Sequence, residues 1–188
     1  MEDDNGDEAD ELDEALIPYD AQSTYQKGIY EGENHLRDDE LEKFLISIRQ
    51  KIGIDGSVLI TFDACHSGTA NRIEEYVEDD DAPIRGTNVI FSSNPFYIAP
   101  GNKHIERKTK LAQQNGLSPI CIISACQPFQ RNFETKVGNS YYGTLSYSLY
   151  KVLKEVNQWN RIYYPKIWEQ AKSFSSKQIP MIESSYAL

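Results

Sequence analysis

Two short apolar runs organise the chain. Val58-Leu59-Ile60-Thr61-Phe62 and Ile120-Cys121-Ile122-Ile123 are continuous and bounded by turn residues. Runs of this length and β-branched content predict strands buried on both faces, as in a parallel sheet. Ahead of the first run, Leu41, Phe44, Leu45, Ile48 and Ile52 recur at helical spacing and predict a helix from Asp39 to about Ile52. Asp39 with Glu42 has the form of a capping box at its start, and Gly53 and Gly56 bracket its exit. After the second run, residues 143 to about 156 read as a helix with Leu145, Leu149, Val152, Leu153 and Val156 inward. Pro165 can start a third helix, with Ile167, Trp168, Ala171 and Phe174 along one side. Pro180 marks an edge segment. Leu16-Ile17-Pro18-Tyr19-Asp20 predicts a short extended piece running into a turn, and residues 88–91 a further strand. Helix, strand, long loop, strand, helix is the grammar of an α/β protein with a mostly parallel sheet flanked by helices.

Charge changes this picture at one end only. The 188 residues carry 29 Asp and Glu against 19 Lys and Arg, a formal net charge of −10. Ten of the acids fall within the first 20 residues, and beyond them acids and bases balance. The charge is therefore local. It predicts an acidic tail or loop over residues 1–15 ahead of a domain over 16–188. No basic stripe is available to displace phosphate counterions, which argues against nucleic acid as a partner. The apolar runs are too short to span a bilayer, and the N-terminus lacks the basic-then-apolar order of a secretory signal. Three cysteines without C-x-x-C spacing fit reduced thiols. The expected setting is cytoplasmic, with neither membrane nor nucleic-acid partners.

Candidate chemistry gathers where the two strands end. In open parallel sheets, ligands collect beyond the C-terminal ends of the strands. Asp63 and Cys65 follow the first strand there, and Ser124 to Gln127 follow the second. Cys65 lies in a tight polar turn among Ala64, His66, Ser67 and Gly68, and is the best nucleophile candidate. Cys121, inside a strand, reads as structural, and so does Cys126. Strand alternation puts Asp63 on the same side as Cys65, where its carboxylate suits a cationic substrate group or else caps the following turn. A thiol needs a base to become thiolate. His66 is adjacent and points away, His35 reads as surface, and His104 lies in a basic stretch with Lys103, Arg107, Lys108 and Lys110. Glu78-Asp79-Asp80-Asp81 could hold Ca²⁺, and Asp3-Asp4-Asn5-Gly6-Asp7 has a superficial likeness to a calcium loop, although solvated acidic loops explain both.

Asp63-Ala64-Cys65-His66-Ser67-Gly68 resembles the D-x-C-H-S-G nucleophile motif of metacaspases and bacterial caspase-like peptidases. Three flanking segments agree in order and spacing. Residues 13–20 are similar to the family's D-E-x-L-x-P-x-D segment. Ser124-Ala125-Cys126-Gln127 with Gln130 and Glu134 is similar to S-[AG]-C-x-x-x-Q-x-x-x-E. Gly143-Thr144-Leu145-Ser146 with Leu149 is similar to a G-x-[FL]-[ST] helix start. The resemblance implies a caspase-like fold and a cysteine endopeptidase acting on protein or peptide substrates through a Cys–His dyad. Cys65 is then the nucleophile, and Asp63 the acidic residue that selects Arg or Lys before the cut bond. Ser124 is a second substrate-binding candidate. The segment 69–118 matches the maturation linker, with residues 103–110 as cut sites. The family's His lies in an S-G-H-G motif ahead of the acid-rich segment, and no counterpart occurs in these residues. The expectation is a C-terminal portion that lacks the first strands of its sheet and takes its His from an upstream segment or a second chain. An open sheet edge and pairing with another chain follow from that. Pro128-Phe129 stands where many metacaspases carry a second acidic selector, which leaves Asp63 alone in that role. A non-catalytic caspase-like scaffold or regulator is the alternative function, and an unrelated α/β binding domain the third.

Overall fold

The computed structural model describes residues 1, 13–64, 82–87, 89–94, 96, 116–127, 130–155, 164–174 and 178–185. Among these the architecture is mixed α/β, in three layers around one small sheet.

The two apolar runs form strands β3 (Val58–Phe62) and β4 (Ile120–Ser124), paired in parallel with Val58 opposite Ile120 and Phe62 opposite Ser124. They follow two short strands, β1 (Ala15–Leu16) and β2 (Leu36–Arg37), which pair antiparallel in a separate ribbon. Helix α1 (Asp38–Ile52) leads from β2 into β3. After β4 comes an antiparallel hairpin of β5 (Glu134–Val137) and β6 (Ser140–Gly143), turned at Gly138, whose φ of 62° admits glycine without strain. Helices α2 (Thr144–Glu155) and α3 (Tyr164–Phe174) follow, and β7 (Met181–Ser184) closes the chain antiparallel to β4. The sheet order is β3-β4-β7, so the expected parallel pair is present within a mixed sheet.

Alternation sorts the strands into two faces. Val58, Ile60, Phe62, Ile120 and Ile122 pack with Leu41 and Leu45 of α1. Leu59, Cys121, Ile123 and Ile182 pack with Leu145, Leu149 and Val152 of α2 and Ala171 of α3. The strand following Pro180 lies at an edge, as its sequence suggests. Trp168 donates its indole N–H to the Pro180 carbonyl at 2.6 Å, which ties α3 to that edge.

Several sequence expectations are corrected here. β4 is buried throughout, but β3 is half-buried and Thr61 is exposed. The reason is position: among the described residues β4 is central and β3 has a partner on one side only. The α1 cap is shifted as well. Glu40, not Glu42, accepts the Arg37 backbone N–H at 3.2 Å. Of the residues assigned to the inner face of α1, Phe44, Ile48 and Ile52 are 66%, 40% and 42% exposed. The stripe that meets this narrow sheet is Leu41, Leu45 and Arg49. Residues 89–91 are not a strand. Phe91 is buried against His35, with ring centroids 4.5 Å apart.

Arg49 is an unexpected core residue. It is 1% exposed, donates Nε–H to the Ser118 carbonyl at 2.8 Å, and leaves Nη1 without a partner, as is the neighbouring Ser118 hydroxyl. Among the described residues no acid pairs with Arg49; a buried charge without a counter-charge is costly, and apolar replacements of similar volume are commonly neutral or stabilising. Arg49→Met is therefore expected to lose no stability in a denaturant titration. Arg49→Ala opens a cavity and costs about 2–4 kcal/mol. A Met variant as damaged as the Ala variant would show that the charge itself is needed.

Candidate active-site rim

Alternation along β3 directs Asp63, like Leu59, toward the α2 face. The turn that follows Asp63 lies outside the described residues from Cys65 on. Asp63 Oδ2 accepts the backbone N–H of Ser146 at 2.8 Å, and its Oδ1 accepts from the Asn132 side-chain amide at 2.9 Å. Ser146 is the third residue of α2, and that helix carries no acid of its own in its first turn. Asp63 thus supplies, from 83 residues away, the carboxylate that a helix N-terminus favours.

Asn132 passes the constraint on. Its Oδ1 accepts from Gln178 Nε2 at 2.8 Å, and the same amide donates to the Ala125 carbonyl at 3.0 Å. Gln178 Oε1 accepts the Phe133 N–H at 2.7 Å, and Thr144 Oγ1 donates to the Phe133 carbonyl at 2.8 Å. Asn132, Thr144 and Gln178 are all buried. The segments leaving β3 and β4 are thereby held to each other, to the hairpin and to α2. None of Asn132, Gln178 or Ser146 carries a local sequence signal for this role. The hairpin does: Gly138-Asn139 between two alternating segments is a two-residue turn pattern, and it sets Glu134 opposite Gly143.

Gly143 is where the rim is tightest. A Cβ built on it would run into Oδ2 of Asp63 and lie 2.6 Å from Nε of Arg85. Arg85 Nε is 3.1 Å from Glu134 Oε1, a part-exposed ion pair. Asp63, Arg85 and Glu134 therefore meet around a glycine whose missing side chain leaves the room. Ser124 sits at the end of β4 in register with Phe62 and is 5% exposed.

Cys65, His66 and His104 lie outside the described residues, as do both acidic stretches considered for Ca²⁺. Among the described residues, no group of three or more His, Cys, Asp or Glu could hold a metal ion. Cys121 is fully buried, and desolvation pushes its thiol up, away from thiolate. Cys126 is buried too, with its Sγ 3.4 Å from the Gln130 carbonyl.

His35 corrects its surface assignment. It is buried among Tyr30 and Phe91, with Nδ1 3.0 Å from the Tyr30 hydroxyl. Burial lowers its pKa below the ordinary histidine value of about 6.5, with smaller contributions from the N-terminal ammonium and Arg37. The folded state thus favours neutral imidazole, while the unfolded state takes up a proton sooner as pH falls. The stability this group contributes is complete above about pH 6.5 and is lost on acidification through the folded pKa. Melting temperatures are expected to fall between pH 7.5 and 5.5, with a shallower fall for His35→Gln. An equal slope in the variant would refute the assignment.

Parallel strands that end at a rim fixed by buried polar side chains, with an acid placed beside the segment that carries a candidate nucleophile, are compatible with an α/β enzyme. Comparison with curated proteins is more specific. Metacaspase-1 of Mycosarcoma maydis is 24% identical over 212 residues, which cover 97% of this chain and 48% of that protein. This supports a metacaspase-like relationship at the family level. The chain spans about half the length of that relative. No family model matches the chain, and no solved structure does. Among the described residues, no helix is long and apolar enough to cross a membrane.

Proposed function

We propose that this chain carries the nucleophile half of a caspase-like cysteine endopeptidase that cuts after Arg or Lys. The observation that carries the reading is the placement of Asp63. It follows β3 at the rim, its carboxylate is fixed by Asn132 and Ser146, and Nε of Arg85 approaches the same open side of Gly143. Cys65 is two residues further along the chain. In this reading its thiolate attacks the scissile carbonyl carbon and forms a tetrahedral oxyanion. Collapse breaks the C–N bond, and the amine leaves with a proton from an imidazolium. Water then hydrolyses the thioester and restores the thiol. Among the described residues the imidazole, His35, is engaged by Tyr30 and Phe91; in this reading a histidine from a second chain or an upstream segment serves as the base. Ser124, buried at the end of β4, forms the floor of the substrate site.

A peptidyl chloromethyl ketone tests the nucleophile without requiring turnover. An Arg-terminated reagent is expected to alkylate the chain once, with the mass gain lost in Cys65→Ala, and an Asp-terminated reagent to react at least tenfold more slowly. Slow release of a fluorophore after Arg or Lys, with and without Ca²⁺, is expected to show the same dependence on Cys65. Labelling that persists in Cys65→Ala, or a preference for Asp, would overturn the reading.

A further inference from the structure

Three tyrosines form a ladder on the outside of the hairpin and α2. Tyr142, near the end of β6, stacks on Tyr147 of α2, with ring centroids 5.7 Å apart and planes 30° from parallel. Tyr150 follows Tyr147 at 6.1 Å and 34°. The outer two rings, Tyr142 and Tyr150, are 45% and 54% exposed. The helix turns Leu145, Leu149 and Val152 toward the core. Tyr147, Tyr150, Lys151 and Lys154 recur at helical spacing and share another side. A contiguous run of exposed rings, unlike a single one, marks a contact surface.

The ladder has a charged end. Lys154 lies over the Tyr150 ring, with Nζ 5.8 Å from the centroid. Lys151 stands one turn beyond Tyr147. The first turn of α2 carries no acid, and the helix's one acid, Glu155, is its last residue. The surface thus runs from bare rings at the hairpin to a pair of cations.

An extended peptide in the polyproline II conformation fits such a surface. That helix makes no internal hydrogen bonds, so its carbonyls can accept from tyrosine hydroxyls, and its proline rings lie on aromatic faces. Three residues of it advance about 9 Å, and the outer rings of the ladder are at most about 12 Å apart, a span that prolines at i and i+3 can bridge. The two lysines call for acids where the prolines end. Single-stranded nucleic acid also stacks on rings, but it needs cations along its whole backbone, and here they sit at one end.

We propose that Tyr142, Tyr147 and Tyr150 form a docking surface for a proline-rich segment of another protein, whose prolines lie on the rings and whose acidic residues follow over Lys151 and Lys154. The ladder begins beside Ser146, whose N–H holds Asp63, so a docked partner lies next to the rim.

The test measures binding to the full chain. A fluorescein-labelled peptide, acetyl-Pro-Pro-Ala-Pro-Pro-Ala-Pro-Glu-Asp-Glu, is titrated with protein and followed by anisotropy. It contains neither Arg nor Lys, so its binding stands or falls apart from the peptidase reading. Saturable binding is expected, and glycine in place of the prolines should abolish it. Tyr150→Ala and Tyr142→Ala remove exposed rings, so their urea midpoints should match the parent's while the peptide weakens about tenfold. Lys154→Gln should weaken it about threefold, as an exposed ion pair does, and Lys154→Arg should bind as the parent does. With Gln in place of the peptide's acids, Lys154→Gln should have no effect. Absence of binding, equal binding of the glycine peptide, or unchanged affinity in both tyrosine variants overturns the proposal. Tighter binding of a short oligothymidylate overturns it in favour of a nucleic acid. Dimerisation of the chain that Tyr150→Ala abolishes overturns it in favour of a second copy.

Discussion

Asp63→Ala is expected to destabilise the chain by about 2–4 kcal/mol, a large loss for a polar residue at a rim. Two contributions combine. The α2 N-terminus loses the carboxylate that accepts the Ser146 N–H, which typically costs about 1 kcal/mol. The Asn132 amide loses a charged acceptor, worth about 1.5–3 kcal/mol. For a protein of this size the melting temperature should drop by roughly 5–12 °C. Asp63→Asn keeps one acceptor oxygen of the two and should lose about half as much. Because Asn132 and Asp63 are direct partners, Asn132→Ala in the Asp63→Ala background should add less than it does alone, with a coupling of about 1–2 kcal/mol. A loss within 0.5 kcal/mol of zero for Asp63→Ala, a figure on the order of ordinary surface effects, would show that these bonds do not hold the rim.

Gly143→Ala should cost about as much, around 2–4 kcal/mol, through one added methyl group. Overpacking of this kind commonly costs about 1–3 kcal/mol, and here the obstacle is a carboxylate that cannot retreat without losing Ser146 and Asn132. The two predictions are linked. With Asp63→Ala already in place the methyl group meets only the end of the Arg85 side chain, so the further cost of Gly143→Ala should fall to below about 1 kcal/mol. Equal costs in both backgrounds would place the clash elsewhere. Urea titrations of the four proteins measure all of these terms.

The elements were legible where periodicity was strong. β3, β4, α1 and α2 follow from their apolar positions, and Pro180 announces an edge. Periodicity names a face but not what covers it. It could not show that Phe44 and Ile48 face outward while Arg49 enters the core, nor that β3 has one neighbouring strand among the described residues. His35 looked like surface because its neighbours in sequence are polar. Its neighbours in space, Tyr30 and Phe91, are not. At the rim, Asp63 could be named from the sequence, but its partners could not. Asn132 and Ser146 lie 69 and 83 residues away, beyond any local pattern. Glu134 was visible only as a member of a motif, and its pairing with Arg85 depends on the hairpin register.

Those separations also bear on how the molecule comes into being. The pairing of β3 with β4, the Arg49–Ser118 bond and the Asp63 network all join residues about 60 or more apart in sequence. No local nucleus can form them, since each requires a long loop to close before any contact rewards it. Folding should accordingly be slow, on the ms–s scale of topologies dominated by non-local contacts. The rim should be among the last parts to assemble. A chain emerging from the ribosome would hold β3 without its β4 partner until β4 had been synthesised, and in that interval the β3 edge that β4 later covers would be open to association with other copies.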